Sequence, residues 1–218
     1  VSFDGEFFTL PLPDGPGKAL TLTVHPVRED IPIYLAAIGP KNLELTGEIA
    51  DGWLGIFFSP EHASEHLASI SAGRAKVGKT LEGFDVVPTV PIAYGDDVAA
   101  CADAMRGYSA LYVGGMGSRE KNFYNQLAVR MGYEAEAAEV QEKYLARDYA
   151  GAGAAVPFEF IDRTSLIGPR ERVQERLHAY ADAGVTTLTI ATYAGTLDER
   201  IQTLRTTAEV LDASGLGE

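Results

Sequence analysis

The stretch from Ile31 to Phe58 constrains the fold of this chain more than any other part of it. It reads IPIYLAAIGPKNLELTGEIADGWLGIFF, which is the pattern of a strand, a glycine–proline helix start, an amphipathic helix and a second strand. In such a unit the two strands run parallel, and ligands bind beyond their carboxyl ends. Free N–H groups at the start of the helix favour phosphate or another anion. The turn from Ala36 to Pro40 is therefore the first place to look for a cofactor.

Composition and charge restrict the class of protein. The chain has 218 residues, 46% of them hydrophobic, which suffices for one domain, or one large piece of a domain, with a buried core. Residues 1–218 show no charged-then-apolar pattern of a signal segment and no run of about 18 apolar residues that could span a membrane. The formal net charge of −13, without a basic stripe, disfavours nucleic acid and anionic membranes as partners. With Cys101 as the single cysteine, no intrachain disulfide can form, and a cytoplasmic protein is expected.

The rest of the chain alternates predicted strands and helices. Residues 3–10 and 19–24 are expected to form the two arms of an irregular hairpin. Strands are predicted at 33–36, 53–58, 84–94 and 185–191. Helices are predicted at 40–49, 59–77, 95–113, 168–183 and 197–211. The first of these should bury Leu43, Leu45 and Ile49, and Thr196 with Glu199 has the spacing of a capping box.

The resulting organisation is a single segment with four parts. They are a hairpin at 1–30, βα units at 31–113, a helical insertion at 114–165 and a last βα unit at 166–213. Four βα units form either a small open sheet or half of a (β/α)8 barrel, which needs eight units and typically about 250 residues. Residue patterns alone leave both architectures open.

Other motifs indicate structure more than chemistry. His62 and His66 lie four residues apart on one helix face, a spacing that can hold a metal, but no third ligand is evident. The run from Gly114 to Gly117 follows a helix, so it is interpreted as a helix end and not as a phosphate cradle. The motif Asn122-Phe123-Tyr124 is interpreted as an anchor for the insertion. Neither a metal site nor a Ser/His/Asp triad is predicted.

Three segments form a combined pattern that is more specific than any single glycine motif. They read PIYLAAIGPKNLELTGEIADGWLG, LYVGGMGSREKNFYNQLAVRMGY and LIGPRERVQERLHAYADAGVTTLTI. Together they resemble the luciferase-like monooxygenase superfamily, and within it the branch that uses the deazaflavin coenzyme F420. The similarity extends from about Phe3 to Leu211. It implies a (β/α)8 TIM barrel of which this chain carries roughly the C-terminal half, strands five to eight, plus the helical insertion.

The resemblance implies an oxidoreductase that transfers hydride between coenzyme F420 and a small organic substrate. FMN-dependent monooxygenase chemistry is the nearest enzymatic alternative, and a non-catalytic α/β binding or assembly module is the alternative from another class. Because family members keep most acid/base groups in the other half, no catalytic residue is predicted here and the fragment alone is expected to be inactive. The missing N-terminal half, or a second copy of the chain, should cover the exposed edges, and a homodimer is expected.

The resemblance also places candidate site residues on this sequence. The loop after strand five would contact the ribityl or phosphate part of the cofactor through Ala36, Ala37, Ile38, Gly39 and Lys41. An ordinary strand-to-helix turn with a solvated lysine is the alternative interpretation of these residues. The candidates for the ring or substrate pocket are Phe58, Ser59, Arg119 and Lys121. Their alternative roles are core packing for Phe58, helix capping for Ser59 and exposed surface charge for the two cations.

Overall fold

The computed structural model describes residues 2–15, 17–19, 21, 23–28 and 30–217, which divide into the compact units Val1–Pro32 and Ile33–Glu218. The first unit holds an antiparallel hairpin of β1 (Phe3–Asp4) and β2 (Thr9–Leu10). The chain reverses at once because the N–H of Gly5 donates to the carbonyl of Phe8. The predicted hairpin is therefore wrong in its second arm: the described residues of 19–24 form no strand, and Leu20 and Leu22 lie outside the described residues.

A parallel sheet of five strands forms the base of the second unit. The strands are β3 (Tyr34–Ala36), β4 (Gly52–Ile56), β5 (Asp85–Tyr94), β6 (Leu166–Gly168) and β7 (Thr189–Thr192). β4 pairs with β3 on one side and with β5 on the other. Thr89 of β5 pairs with both β4 and β7, and Ile92 pairs with both β6 and β7. β7 therefore lies on one side of β5, with β4 and β6 on the other. All of these pairings are parallel, which confirms the predicted parallel α/β class.

Ten α-helices surround this sheet in the described part of the chain. They are α1 (Pro40–Ile49), α2 (Ala63–Lys76), α3 (Val98–Asp103), α4 (Arg106–Ala110), α5 (Phe123–Arg130), α6 (Glu134–Leu145), α7 (Tyr149–Ala155), α8 (Phe158–Thr164), α9 (Arg170–Asp182) and α10 (Leu197–Ser214). A 3-10 turn, Pro60–His62, precedes α2. The predicted helix at 95–113 is wrong as one element, since it is α3, α4 and a π-helical turn at Leu111–Gly115. The capping box of Thr196 and Glu199 is confirmed at the start of α10.

The first helix buries a different face from the one predicted. Leu43, Thr46 and Gly47 are buried, whereas Leu45 and Ile49 are 45% and 60% exposed. Periodicity of large apolar residues therefore identified only one of the three buried positions.

Two glycines explain why α1 buries this face and not the predicted one. α1 crosses α2 at Gly47 and Gly73, where either glycine approaches the backbone of the other helix. A Cβ atom at Gly73 would overlap the carbonyl oxygen of Glu44, and one at Gly47 would overlap that of Ile70. The helices thus meet backbone to backbone, and the face that carries the glycines is the one that packs.

The core consists of two hydrophobic clusters. The insertion cluster packs α3 to α8 together, and its large members include Phe57, Met105, Leu127, Val140 and Phe160. The sheet cluster lies between the strands and the helices α1, α2 and α9, and its large members include Trp53, Phe58, Ile70, Leu166 and Tyr180. The neighbouring residues Phe57 and Phe58 thus belong to different clusters. Within the part of the chain described here, no helix is long and apolar enough to cross a membrane.

Candidate functional site

A cavity of about 340 Å³ lies at the carboxyl ends of β3 and β4. Its first wall consists of the end of β3 and the turn into α1, with Ala36, Ala37, Ile38 and Gly39. These are four of the five residues predicted for cofactor contact, and the structure brings them together on one surface. The fifth, Lys41, is exposed in the first turn of α1. The carboxyl ends of parallel strands are the expected position for a ligand in this class of fold.

The start of α1 leaves room for an anion. Gly39 is the N-cap residue in an extended conformation (φ −76°, ψ 146°), and a Cβ atom there would meet nothing within 4 Å. The first N–H groups of a helix have no intrahelical partner, so they are free to donate to a ligand. The first turn of α1 carries no acidic residue. Glu44 and Glu48 further along α1 instead bind Lys76 of α2.

Trp53 supports this turn from below. Its Nε1 donates a hydrogen bond of 2.9 Å to the carbonyl oxygen of Ala37. The indole is 1% exposed and stacks on the imidazole of His66, with ring centroids 5.3 Å apart. Trp53 therefore orients the turn without lining the cavity. The sequence places a tryptophan on β4 but carries no signal that its indole reaches the preceding strand.

The second wall comes from the π-helical turn Leu111–Gly115 and from the start of α5 in the insertion. Tyr112, Phe123 and Tyr124 line it, and Leu54 and Ile56 of β4 lie between the two walls. Sequence reasoning assigned none of these residues to the site. Residues far apart in the chain meet here only because the insertion folds back over the strand ends.

Tyr112 projects from the π-helical turn, and the side chain of Asn122 stabilises that turn. The Nδ2 atom of Asn122 donates to the carbonyl oxygens of Tyr112 and Val113, at 2.9 Å each. Its Oδ1 accepts hydrogen bonds from the N–H groups of Tyr124 and Asn125 at the start of α5. The motif Asn122-Phe123-Tyr124 therefore anchors the insertion, as predicted, and its two aromatic residues also line the cavity.

The glycine run beside this turn serves packing. Cβ atoms at Gly114 and Gly115 would overlap the side chain of Tyr144 on α6. The two glycines belong to the π-helical turn that follows α4 and are needed for close packing of α6. This supports the interpretation of the run as a helix end.

The cavity is electrically neutral. None of the described residues that line it is charged, and Asn42 and the tyrosine hydroxyls supply its polar side-chain groups. Desolvation raises the pKa of Tyr124, and desolvation together with the nearby Tyr112 raises the pKa of Tyr193 to about 12. Desolvation also raises the pKa of Tyr108, which packs between these residues. The three phenols whose pKa values rise therefore stay protonated at neutral pH.

Four further predicted pocket residues lie elsewhere in the structure. Phe58 is 1% exposed in the sheet cluster, and buried Ser59 donates a 2.6 Å hydrogen bond to Glu61. Arg119 and Lys121 are exposed in the loop after the π-helical turn. None of the four is among the described residues that line the cavity.

Glu61 belongs to a polar network after β4 that sequence reasoning missed. Partial burial alone would raise the pKa of this carboxyl group, but hydrogen bonds from Arg176 and Ser59 outweigh it and lower the pKa to about 2. Arg176 also donates to the carbonyl of Arg163, so the network joins the end of β4 to α8 and α9. The network joins elements of the fold and is structural.

The histidine pair has no metal-site geometry. Among the described residues, no group of three or more His, Cys, Asp or Glu side chains is placed to hold a metal ion. His66 is 4% exposed against Trp53, and its Nδ1 has no hydrogen-bond partner. Burial lowers the pKa of this imidazole, which is therefore neutral at physiological pH.

Comparison with known proteins assigns the chain to a family. Residues 1–187 match the model of the luciferase-like monooxygenases. The chain belongs to this family. It is 36% identical over 196 residues to a Mycobacterium tuberculosis protein provisionally named a coenzyme F420-dependent oxidoreductase, covering 87% of this chain and 56% of that protein. It is 31% identical over 188 residues to the 5,10-methylenetetrahydromethanopterin reductase of Archaeoglobus fulgidus, covering 85% and 53%.

Solved structures of luciferase-like proteins share the fold. An F420-dependent secondary alcohol dehydrogenase, solved in complex with an F420–acetone adduct, matches with a TM-score of 0.67 at 16% identity, over 98% of this chain and 56% of that one. The F420-dependent tetrahydromethanopterin reductase of Methanopyrus kandleri matches with a TM-score of 0.62 at 24% identity, over 74% and 45%. The resemblance to the family and its F420 branch is confirmed. The chain spans about half the length of the curated relatives it matches.

Proposed function

We propose that this chain is part of an oxidoreductase that transfers hydride between coenzyme F420 and a neutral organic substrate. The cavity at the ends of β3 and β4 carries the proposal, because one of its walls is a helix-start turn and the other is aromatic. One relative supports the choice of coenzyme, since it is named for F420 dependence, and a second relative, named as a reductase, supports the reaction class. When bound, the deazaflavin ring would accept or donate the hydride, and the protein would supply position and a dry environment.

The turn after β3 fits the phosphate or ribityl part of this coenzyme. Its small residues allow close approach, Gly39 faces open space, and the helix start favours an anion. Lys41 adds an exposed positive charge beside it. We therefore assign this part of the coenzyme to Ala36, Ala37, Ile38, Gly39 and Lys41. Arg119 and Lys121, both exposed, would meet an acidic extension of the coenzyme.

The aromatic wall fits the substrate. The aromatic side chains of Tyr112, Phe123 and Tyr124 line this wall, and the lining described above lacks charge. Burial of a charged substrate against such a surface would cost desolvation energy without a compensating ion pair. A neutral alcohol, aldehyde, ketone or heterocycle is therefore the substrate class that this wall favours.

We further propose that the sheet is an arc of a (β/α)8 barrel. Within the described residues, β3 and β7 each have a pairing partner on one side only. Leu54 lies on β4, between two paired neighbours, yet it is 40% exposed on the face opposite the buried Trp53. Closure of the barrel by further strands, from the missing half or from a second copy, would turn that face into the barrel interior. The chain alone would then be inactive.

Coenzyme titration tests the proposal. The chain alone, and the chain co-expressed with the N-terminal barrel half of the Mycobacterium tuberculosis relative, would be titrated separately with F420 and with FMN. F420 should bind the completed barrel and not the isolated chain. Turnover would then be followed by loss of the oxidised coenzyme's visible absorbance with small alcohols and aldehydes.

The outcomes separate the alternatives. Preferential binding of FMN by the completed barrel would favour a flavin-dependent monooxygenase. Tight binding of F420 by the chain alone would refute the half-barrel proposal. A stable complex that binds neither coenzyme would leave a non-catalytic binding or assembly module.

A further inference from the structure

Phe57 has a backbone conformation that bulky residues rarely adopt. Its φ of 51° lies in the left-handed region, and among the described non-glycine residues only Arg147 shares a positive φ. Phe57 is 2% exposed and directly follows β4, whose last residue, Ile56, lines the cavity. Conformations of this kind persist only where surrounding packing imposes them, and they concentrate at functional sites.

The unusual φ reverses the alternation of side chains at the end of β4. Successive side chains of a strand point to opposite faces. Trp53 and Phe58, an odd number of positions apart, would therefore lie on opposite faces of a continued strand, yet both belong to the sheet cluster. Phe57 instead packs in the insertion cluster together with its neighbour Ile56. Because Phe57 has a left-handed conformation, its own ring packs in the insertion cluster and the ring of Phe58 packs in the sheet cluster.

The ring of Phe57 lies directly behind the aromatic wall of the cavity. Its centroid is 5.6 Å from that of Tyr112 and 6.3 Å from that of Tyr124, both in edge-on geometry. The two tyrosine rings are themselves 4.8 Å apart and nearly perpendicular. On its other sides Phe57 meets Tyr108 at 5.2 Å and Phe160 at 5.4 Å. One buried ring therefore contacts both tyrosines of the wall while touching no cavity space itself.

Backbone and side chains of the wall are held by different contacts. Asn122 holds the main chain of the π-helical turn through two carbonyl groups. It does not set the orientation of the tyrosine rings, which pack against Phe57 and each other. Edge-on aromatic pairs contribute energy beyond their buried area, so loss of the central ring leaves the two phenols without their common neighbour.

We propose that Phe57 is a positioning residue that sets the shape of the substrate wall through Tyr112 and Tyr124. The proposal deepens the proposed function and rests on it for the identity of the ligand. Phe58 provides a matched control, because it is adjacent, of the same type and 1% exposed, but packs on Trp53 and Tyr180 in the other cluster. Substitutions of Phe57 and Phe58 should therefore lower the stability by similar amounts, but only substitution of Phe57 should change the arrangement of Tyr112 and Tyr124.

The test uses the whole chain labelled with 3-fluorotyrosine and observed by ¹⁹F NMR. The resonances of Tyr112 and Tyr124 are assigned with Tyr112→Phe and Tyr124→Phe. In Phe57→Leu both resonances should shift, whereas Phe58→Leu should leave them at their wild-type positions. If Phe57→Leu does not fold, as judged by circular dichroism, Phe57→Met retains more of the buried volume and takes its place. Unmoved resonances in the Phe57 variant, or equal movement in both variants, would overturn the proposal.

A second readout connects the wall to the reaction. In the completed barrel, Phe57→Leu should raise the KM of the substrate by about tenfold and leave the Kd of F420 unchanged, because a small displacement of positioning groups is costly. The NMR comparison needs no ligand, so it tests the role of Phe57 in positioning the two tyrosines independently of the choice of coenzyme. If the KM of Phe57→Leu equals that of Phe58→Leu, the proposed effect of Phe57 on substrate binding is overturned.

Discussion

The crossing of α1 and α2 predicts that a normally stabilising substitution will damage this protein. In most helices, replacement of glycine by alanine stabilises the fold by about 1 kcal/mol. At Gly73 the new Cβ would overlap the carbonyl oxygen of Glu44 and lie 2.8 Å from its carbon. Ordinary contact begins at 3.4 Å and the oxygen is the closer of the two atoms, so relief of the overlap requires the helices to part by more than about one ångström. Overpacking of this kind against a backbone costs about 3 kcal/mol, which leaves a net loss of about 2 kcal/mol.

Urea unfolding followed by circular dichroism measures this loss. For an m-value of about 2 kcal/mol per molar, Gly73→Ala should lower the midpoint by about 1 M. The matched control is Gly107→Ala in α4, where a Cβ atom would meet nothing within 4 Å. That control should raise stability by about 0.5–1 kcal/mol. Equal shifts in the same direction for the two variants would refute the packing argument, because helix propensity alone would then explain both.

Two more predictions concern the turn and the residues beneath it. Gly39→Val places side-chain atoms in open space on an extended backbone, so the free energy of unfolding should change by less than about 0.5 kcal/mol. The same atoms would occupy the proposed coenzyme site, so the affinity of the completed barrel for F420 should fall at least about tenfold. Unchanged affinity, measured by titration, would contradict the assignment of this turn to the coenzyme. Burial lowers the pKa of His66 below 6.5, so the unfolded chain binds the proton more readily and stability should fall as pH drops below 6.5. His66→Phe should reduce this dependence of the free energy of unfolding on pH, as measured by urea unfolding at several pH values. An unaltered dependence would show that other groups cause it.

Local chemistry explains which elements the sequence revealed. Gly39 and Pro40 mark the start of α1, and Thr196 with Glu199 marks the start of α10, because capping depends on residues within one turn. The buried face of α1 depends on Gly73 of another helix, which hydrophobic periodicity does not register. The failure at Leu45 therefore has a physical cause in the glycine contact.

The two walls of the cavity differ in the same way. The turn from Ala36 to Gly39 was predictable because a strand, a turn and a helix start follow one another in the chain. Tyr112 reaches the same space from the π-helical turn and Tyr124 from the insertion, and the path of both segments depends on distant contacts. The left-handed φ of Phe57 has no signature of its own in the sequence, because the residue is a bulky aromatic where glycine would be the usual choice.

These walls also differ in how substitutions would act on them. The wall formed by the turn after β3, which we propose for the cofactor, presents mainly backbone and small side chains, and the indole of Trp53 holds it by a hydrogen bond to a main-chain carbonyl. The aromatic wall, which we propose for the substrate, consists of side chains that pack against the insertion cluster. Under the proposed function, replacing Tyr112 or Tyr124 would change the surface that the substrate meets without altering the turn after β3. We therefore expect that a luciferase-like chain of this design can change substrate through its aromatic wall while the proposed coenzyme site stays the same.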